Sequence, residues 1–289
     1  MKKLSSLLLS FALSSGAMAQ GWPANYQGVM LQGFSWDSFV DTQWTNLEAQ
    51  ADELSQYFKL IWVPQSGDCN STYNQMGYTP VYYFKHDSSF GTESQLRSMI
   101  NAFKAKGTGV IADVVVNHRN DDGGATLSWA QARGINLSSN NDEGEGWSGC
   151  RDIDHQSTNV QSILKAYTKF LVDDLGYTGF RYDMVKGFNA SHVRDYNRHA
   201  SVKFSVGETW SSHSDISSWI NTTEKESGAF DFQFRYALRD AINSNDWSQL
   251  GTKQYLVNNN FQGGAFKQYA VTFVENHDMQ DRGTTNGYT

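Results

Sequence analysis

Val110-Ile111-Ala112-Asp113-Val114-Val115-Val116-Asn117-His118 is a nearly unbroken apolar, β-branched run that ends in an amide and an imidazole. A run without polar alternation predicts a strand buried on both faces, the habit of parallel sheets covered by helices. Comparable runs lie around it: Val29-Met30-Leu31, Leu60-Ile61-Trp62-Val63, Gly179-Phe180-Arg181-Tyr182, Phe204-Ser205-Val206, Ala229 to Phe232 and Val271 to Val274. Helical periodicity separates them. Leu96, Met99, Ile100 and Phe103 recur at i, i+3, i+4 and i+7 behind a Thr92…Gln95 capping box. Val160, Ile163, Leu164, Tyr167, Phe170 and Leu171 repeat the pattern behind Thr158…Gln161, and a weaker helix is expected over Ala190 to His199. Strands alternating with helices predict an α/β fold with a parallel sheet. Seven strand runs, with no G-x-G-x-x-G after the first, favour a (β/α)8 TIM barrel over a doubly wound sheet.

Residues 119–157 break the rhythm. They contain Asn120-Asp121-Asp122-Gly123-Gly124 and Asn140-Asn141-Asp142-Glu143-Gly144, show no strong periodicity, and leave the carboxyl end of the third strand run. Long loops are usually functional, and barrel active sites are built at this end of the strands, so a small inserted subdomain is expected here. The expected organisation is a signal peptide over 1–19, the first part of the barrel over 20–118, the insertion over 119–157, and the barrel resumed over 158–289. No eighth strand run lies between Val274 and Thr289, so the barrel is expected to be C-terminally truncated, without a closing strand or a following β domain.

The signal peptide rests on Lys2 and Lys3, the apolar run Leu7 to Leu13, and the cleavage pattern Ala17-Met18-Ala19. The apolar run is too short to span a bilayer, so a secreted, soluble chain beginning at Gln20 is expected. The whole sequence of 289 residues has 23 Lys and Arg against 30 Asp and Glu, a net charge of −7, and its 9 Trp, 14 Tyr and 17 Phe exclude a disordered chain. Such an acidic chain has no general electrostatic reason to bind nucleic acid or anionic lipid. Cys69 and Cys150 admit a disulfide in an exported protein, and a zinc site would need further close ligands that are not visible.

Polar residues gather at the ends of four strand runs: Asp113-Val114-Val115-Val116-Asn117-His118, Gly179-Phe180-Arg181-Tyr182-Asp183 running on to Lys186, Val206-Gly207-Glu208-Thr209-Trp210, and Phe273-Val274-Glu275-Asn276-His277-Asp278. Four such ends on successive strands converge on one barrel mouth. Three carboxylates stand there, Asp183, Glu208 and Asp278. Carboxylates paired at a barrel mouth, in a chain rich in Trp and Tyr and poor in basic residues, suggest glycosidic bond cleavage, one attacking or stabilising the sugar and another protonating the leaving oxygen. Arg181 and Asp183 share a strand face, and the guanidinium is expected to lower the Asp183 pKa and keep it ionised. Glu208, after an apolar run, is expected to have a raised pKa that suits the acid role.

These four segments, in this order, closely resemble the signature regions of the α-amylase family, glycoside hydrolase family 13. Gln32-Gly33-Phe34-Ser35-Trp36 and Met76-Gly77-Tyr78-Thr79-Pro80 extend the resemblance, which runs from about Tyr26 to Asp278 and is similar to plant-type and related bacterial members. It implies a secreted, endo-acting α-1,4-glucan hydrolase working on starch and maltodextrins, a monomer using a retaining mechanism; transglycosylation by the same residues stays open. It implies Asp183 as nucleophile, Glu208 as general acid/base and Asp278 as transition-state stabiliser. It further implies that Arg181, His118 and His277 hold the reacting glucose, that Tyr78 stacks on it, and that Lys186 contacts the next glucose on the leaving side. A structural Ca2+ is implied on Asn117, Asp152 and the backbone carbonyl of Gly187, while Asp142, Glu143 and Glu145 are expected to be solvated loop charges. Gly187 stands where many members carry His, though plant-type members share the Gly, and Arg151 stands where a Pro is usual.

Overall fold

The computed structural model describes residues 28–36, 38–69, 76–120, 137–138, 143–147, 149–202, 204–258 and 264–279. The expected signal peptide, most of the insertion including Asp142, and residues 280–289 lie outside the described residues. In chain order the first strands are β1 (Met30–Gln32), β2 (Leu60–Val63) and β3 (Gly109–Val114). Next come the short β4 (His118–Arg119), β5 (Leu137–Ser138) and β6 (Arg151–Ile153). The last are β7 (Gly179–Tyr182), β8 (Ser205–Gly207), β9 (Gly228–Phe230) and β10 (Ala270–Val271).

Seven of these strands form one sheet in the order β1-β2-β3-β7-β8-β9-β10, and every pairing in it is parallel. Strand order follows chain order without reversal. That is the winding of a (β/α) barrel wall and not of a doubly wound sheet, whose order reverses at a switch point. The other three strands form a small antiparallel sheet, β4-β6-β5, drawn from the stretch between β3 and β7.

The helices are α1 (Trp44–Ala49), α2 (Ala51–Tyr57), α3 (Glu93–Ala105), α4 (Thr158–Asp173), α5 (Ala190–Ala200), α6 (His213–Thr222), α7 (Phe232–Ser244) and α8 (Gln249–Thr252). The expected capping box starts α3: Gln95 N–H donates to Thr92 Oγ1 at 3.3 Å, and Thr92 N–H donates to Gln95 Oε1 at 2.8 Å. Leu96, Met99, Ile100 and Phe103 then bury one face of that helix. The box expected at Thr158…Gln161 does not form. Thr158 is already helical, Ser157 is the cap, and the Gln161 amide turns back to the His155 carbonyl at 2.9 Å.

The third strand ends sooner than its apolar run. Val114 O accepts the Asp183 N–H at 3.1 Å, and the chain then leaves the sheet, with Asn117 O accepting from Ile153 N–H at 3.0 Å. Val115 and Val116 are therefore buried below the insertion and not in the ladder. Cys69, which is buried, and the partly exposed Cys150 are not bridged, so the disulfide they admit does not form. Among the described residues no helix is long and apolar enough to cross a membrane.

Candidate active site

The parallel ladder delivers the candidate residues as its next rungs. Asp113 is in register with Arg181, and Tyr182 with Gly207. Beyond those pairs Asp183 N–H bonds Val114 O, and Glu208 N–H bonds Tyr182 O at 3.0 Å. Asp183 and Glu208 thus stand side by side, each one residue past a strand end, at the carboxyl mouth of the sheet.

Arg181 lies beneath them, fully buried. Its Nη1 donates to Asp183 Oδ1 at 2.7 Å and to Asp113 Oδ1 at 2.8 Å, and its Nη2 forms an ion pair with Glu208 Oε1 at 2.7 Å. The guanidinium also sits 4.9 Å from the centre of the Trp62 ring, a cation–π contact. Asp113 anchors this floor. It accepts from Trp62 Nε1 at 3.1 Å and from the Tyr78 hydroxyl at 3.0 Å as well as from Arg181. Sequence reasoning gives Asp113 no role. Its signal is a charge inside an otherwise apolar strand, a placement that a buried partner must compensate.

One guanidinium faces three carboxylates here, and all are buried. Removal from water raises carboxyl pKa values and Arg181 lowers them. For Glu208 burial is the largest cause and the value is pushed up to about 7. For Asp183 burial again comes first, and the value is pushed up to about 6. The expectation that Arg181 would hold Asp183 below its ordinary value is therefore corrected: desolvation and the Asp113 and Asp278 charges outweigh the guanidinium. Glu208 is raised as expected, and burial is the first cause for both carboxyls. Met184 helps to orient Glu208, donating its backbone N–H to Oε2 at 3.0 Å from a left-handed conformation with φ of 42°. Such a backbone is unfavourable for a side chain of this size, and it persists here beside the candidate nucleophile.

The remaining candidates complete a cleft of about 350 Å³, lined by Trp36, Tyr78, His118, Glu145, Trp147, Asp183, Met184, Lys186, Glu208, Trp210, His277 and Asp278. Tyr78 and His277 stack with ring centres 5.5 Å apart, and the Tyr78 oxygen lies 2.9 Å from His277 Nε2. Because the Tyr78 proton goes to Asp113, that histidine nitrogen is the donor. Asp278 lies 3.3 Å from His277 Nε2 and accepts from Trp36 Nε1 at 3.2 Å. His118 Nε2 donates to the Tyr78 carbonyl at 2.8 Å, and burial pushes its pKa down to about 4, so it is a neutral donor. Trp210 is partly exposed at the rim. Its ring stacks on Phe232 at 4.8 Å, and its Nε1–H donates to the Tyr236 hydroxyl at 2.7 Å.

One loop charge departs from expectation. Glu145 pairs with Lys186 at 2.9 Å on the cleft wall, and Glu143 accepts the Asn189 N–H at 2.8 Å while lying 3.2 Å from His192. Glu143 is thus tied down and mostly covered, whereas Glu145, though paired, keeps a solvated side chain, 60% exposed.

The residues offered to calcium come together at the foot of the insertion. Asn117 is completely buried, its amide Nδ2 donates to Glu145 O at 3.3 Å, and its Oδ1 has no hydrogen-bond partner. Gly187 packs so tightly on this amide that a Cβ there would fall 1.7 Å from Asn117 Oδ1. Asp152 is buried and in register with His118, the neighbour of Asn117. Among the described residues no cluster of three or more His, Cys, Asp or Glu stands ready for a metal. One carboxylate, one orphaned amide oxygen and one backbone carbonyl are nevertheless an all-oxygen set of the kind a hard cation takes.

Comparison with known proteins adds to this geometry. Residues 60–133 match the family model described as "Alpha amylase, catalytic domain". "Alpha-amylase 3, chloroplastic" of Arabidopsis thaliana is 30% identical over 302 residues, covering 90% of this chain and 32% of that protein. "Probable alpha-amylase 2" of the same plant is 27% identical, covering 86% of this chain and 66% of that protein. The chain thus spans from about a third to just under two thirds of the length of these relatives. The crystal structure of an α-amylase from H. orenii superposes with a TM-score of 0.66 at 16% identity, over 86% of this chain and 60% of that one, a likeness of fold alone. Four strand-end motifs meet in one cleft, and along most of its length the chain is similar to these α-amylases.

Proposed function

We propose that this chain is a glycoside hydrolase that cleaves α-1,4-glucan by a retaining double displacement, with Asp183 as nucleophile, Glu208 as acid/base and Asp278 as stabiliser. The observation that carries the reading is the single guanidinium of Arg181 ion-paired at 2.7 Å with both Asp183 and Glu208. Carboxyls on neighbouring nitrogens of one guanidinium stand close together. Retaining chemistry needs about 5–5.5 Å between them, whereas an inverting pair needs about 6.5–9.5 Å to admit a water.

Asp183 is held through Oδ1, which leaves Oδ2 to attack the anomeric carbon. As that bond forms, the glycosidic C–O bond breaks and Glu208 gives its proton to the departing oxygen. A water then attacks the glycosyl-enzyme, passes a proton to Glu208 and frees Asp183. The raised Glu208 pKa suits the acid role, since burial lets this carboxyl keep its proton toward neutral pH. Tyr78, Trp36 and Trp210 offer aromatic faces to sugar rings, and His118 and His277 offer hydrogen bonds to sugar hydroxyls.

Calcium is proposed on Asn117 Oδ1, the Asp152 carboxylate and the Gly187 carbonyl. When bound, it supplies a structural cross-link between the insertion, read as 119–157, and the barrel segments 20–118 and 158–289. Residues 1–19 are read as an export signal, so the enzyme acts outside the cell, as a monomer, on starch and maltodextrins.

Reducing-sugar release from soluble starch, with calcium, tests the reading when Asp183→Asn is run beside the parent and each is melted thermally. Release by the parent and none from an equally folded variant supports it. A folded parent that releases nothing refutes it.

A further inference from the structure

Trp210 lies two residues beyond Glu208 and lines the cleft with it, and α7 holds its ring. Phe232 and Tyr236 are about one helical turn apart, so both side chains leave the same helix face and meet the same neighbour. Phe232, completely buried, stacks on the Trp210 ring with centres 4.8 Å apart and planes 14° from parallel. The Tyr236 hydroxyl accepts the Trp210 Nε1–H at 2.7 Å. From the same turn Gln233 donates its side-chain amide to the Ser211 carbonyl at 2.7 Å, which fixes the backbone just past Trp210.

These contacts differ in what they restrain. A stack fixes the plane of an indole yet lets the ring turn and slide within that plane. A hydrogen bond at Nε1 is directional and removes this freedom. The indole donor does not need Tyr236 to be satisfied, because Trp210 is 37% exposed and water can accept its proton. What the hydroxyl adds is orientation. The phenol is itself braced, with the guanidinium carbons of Arg239 and Arg235 at 5.0 and 5.8 Å from its ring centre. Arg235 reaches on to the Val274 carbonyl at 3.4 Å and to Glu275 at 3.6 Å, in the segment that leads to His277 and Asp278.

We propose that Tyr236 is a positioning residue: through the Trp210 indole it sets, before any ligand arrives, the angle at which that ring meets an α-glucan. This rests on the reading of the cleft as an α-glucan site and extends it to a residue that does not itself line the cleft. Phe232 covers one face of the ring, so a sugar meets the other. An indole already oriented costs less to order on binding. Its contact is made alike in the ground state and the transition state, so its loss belongs in KM and not in kcat.

Kinetics on maltopentaose test this with the full chain and calcium present, as parent, Tyr236→Phe, Trp210→Phe and the double variant. Tyr236→Phe removes one oxygen and keeps the ring beside both arginines. Loss of a neutral hydrogen bond predicts a KM about fivefold higher with kcat unchanged. In the Trp210→Phe background the same change should add nothing, because its effect passes through the indole. In proton–nitrogen NMR spectra, the indole resonance that Trp210→Phe removes should shift in Tyr236→Phe. An unchanged KM, or a resonance that stays in place, overturns the positioning role and leaves the hydrolase reading intact. An equal rise in KM in both backgrounds overturns it too, since a merely structural role acts whether or not the indole is there. A folded parent that turns over no maltopentaose would overturn the hydrolase reading and the positioning role with it.

Discussion

Replacing Glu208 with Gln should abolish cleavage and, above neutrality, make the protein more stable. In the folded chain Glu208 is 7% exposed and shares Arg181 with Asp183 and Asp113, so ionising its carboxyl adds a third negative charge around one positive charge. Burial, first, and the neighbouring carboxylates raise its pKa from an ordinary 4.5 to about 7. Below the unfolded value the carboxyl is protonated in both states, so parent and variant should match. As pH rises toward about 7 the unfolded chain gives up this proton freely and the folded chain resists, so stability drains from the parent. Above about 7 the loss is complete and constant. At about 1.4 kcal/mol per pKa unit the full gap is on the order of 3 kcal/mol, which for a domain of this size corresponds to a melting shift of several degrees. Glutamine is neutral at every pH and can still accept from Arg181, so it escapes this penalty. Urea unfolding of both proteins at pH 5 and pH 8 reads the difference. It should be small at pH 5 and favour the variant at pH 8. A variant equally or less stable than the parent at pH 8 would refute the reasoning.

Asp113→Ala should cost about 3–5 kcal/mol in urea unfolding, because it leaves Arg181, the Tyr78 hydroxyl and the Trp62 indole without their shared buried acceptor. The pH profile of kcat/KM should be bell-shaped, rising as Asp183 ionises near 6 and falling as Glu208 loses its proton near 7; a flat profile between pH 5 and 8 would contradict it. Gly187→Ala should displace Asn117, since the new Cβ would fall 1.7 Å from its Oδ1. Its melting temperature should be lower than the parent's and insensitive to a calcium chelator, whereas the parent's should drop on chelation.

The sheet is legible in the sequence because its strands are buried on both faces, and a short unbroken apolar run between helical patterns fits little else. Leu60–Val63 and Gly179–Tyr182 match their runs residue for residue. Val115 and Val116 do not, because burial under an insertion looks the same in sequence as burial in a ladder. The carboxylates at strand ends are legible for a similar reason: a charge that closes an apolar run must face a mouth or a partner. The role of Asp113 is hidden because its partners, Trp62, Tyr78 and Arg181, come from three separate segments. The Asp183 acidity is hidden too, since sequence shows the nearby Arg181 but not the depth of burial that outweighs it. Glu143 looks solvated in sequence because nothing local reveals that it meets Asn189 at the start of α5. The absent capping box at Thr158 is a one-residue matter, decided by which residue turns into the helix first.

Proton NMR of maltopentaose during its first minutes of cleavage by the parent, with calcium, bears on the heart of the mechanism. An Asp183 glycosyl-enzyme requires two inversions, so the newly released reducing end should appear first as the α-anomer and only later equilibrate by mutarotation. Initial appearance of the β-anomer would mean a single displacement by water, and Asp183 could not be the nucleophile.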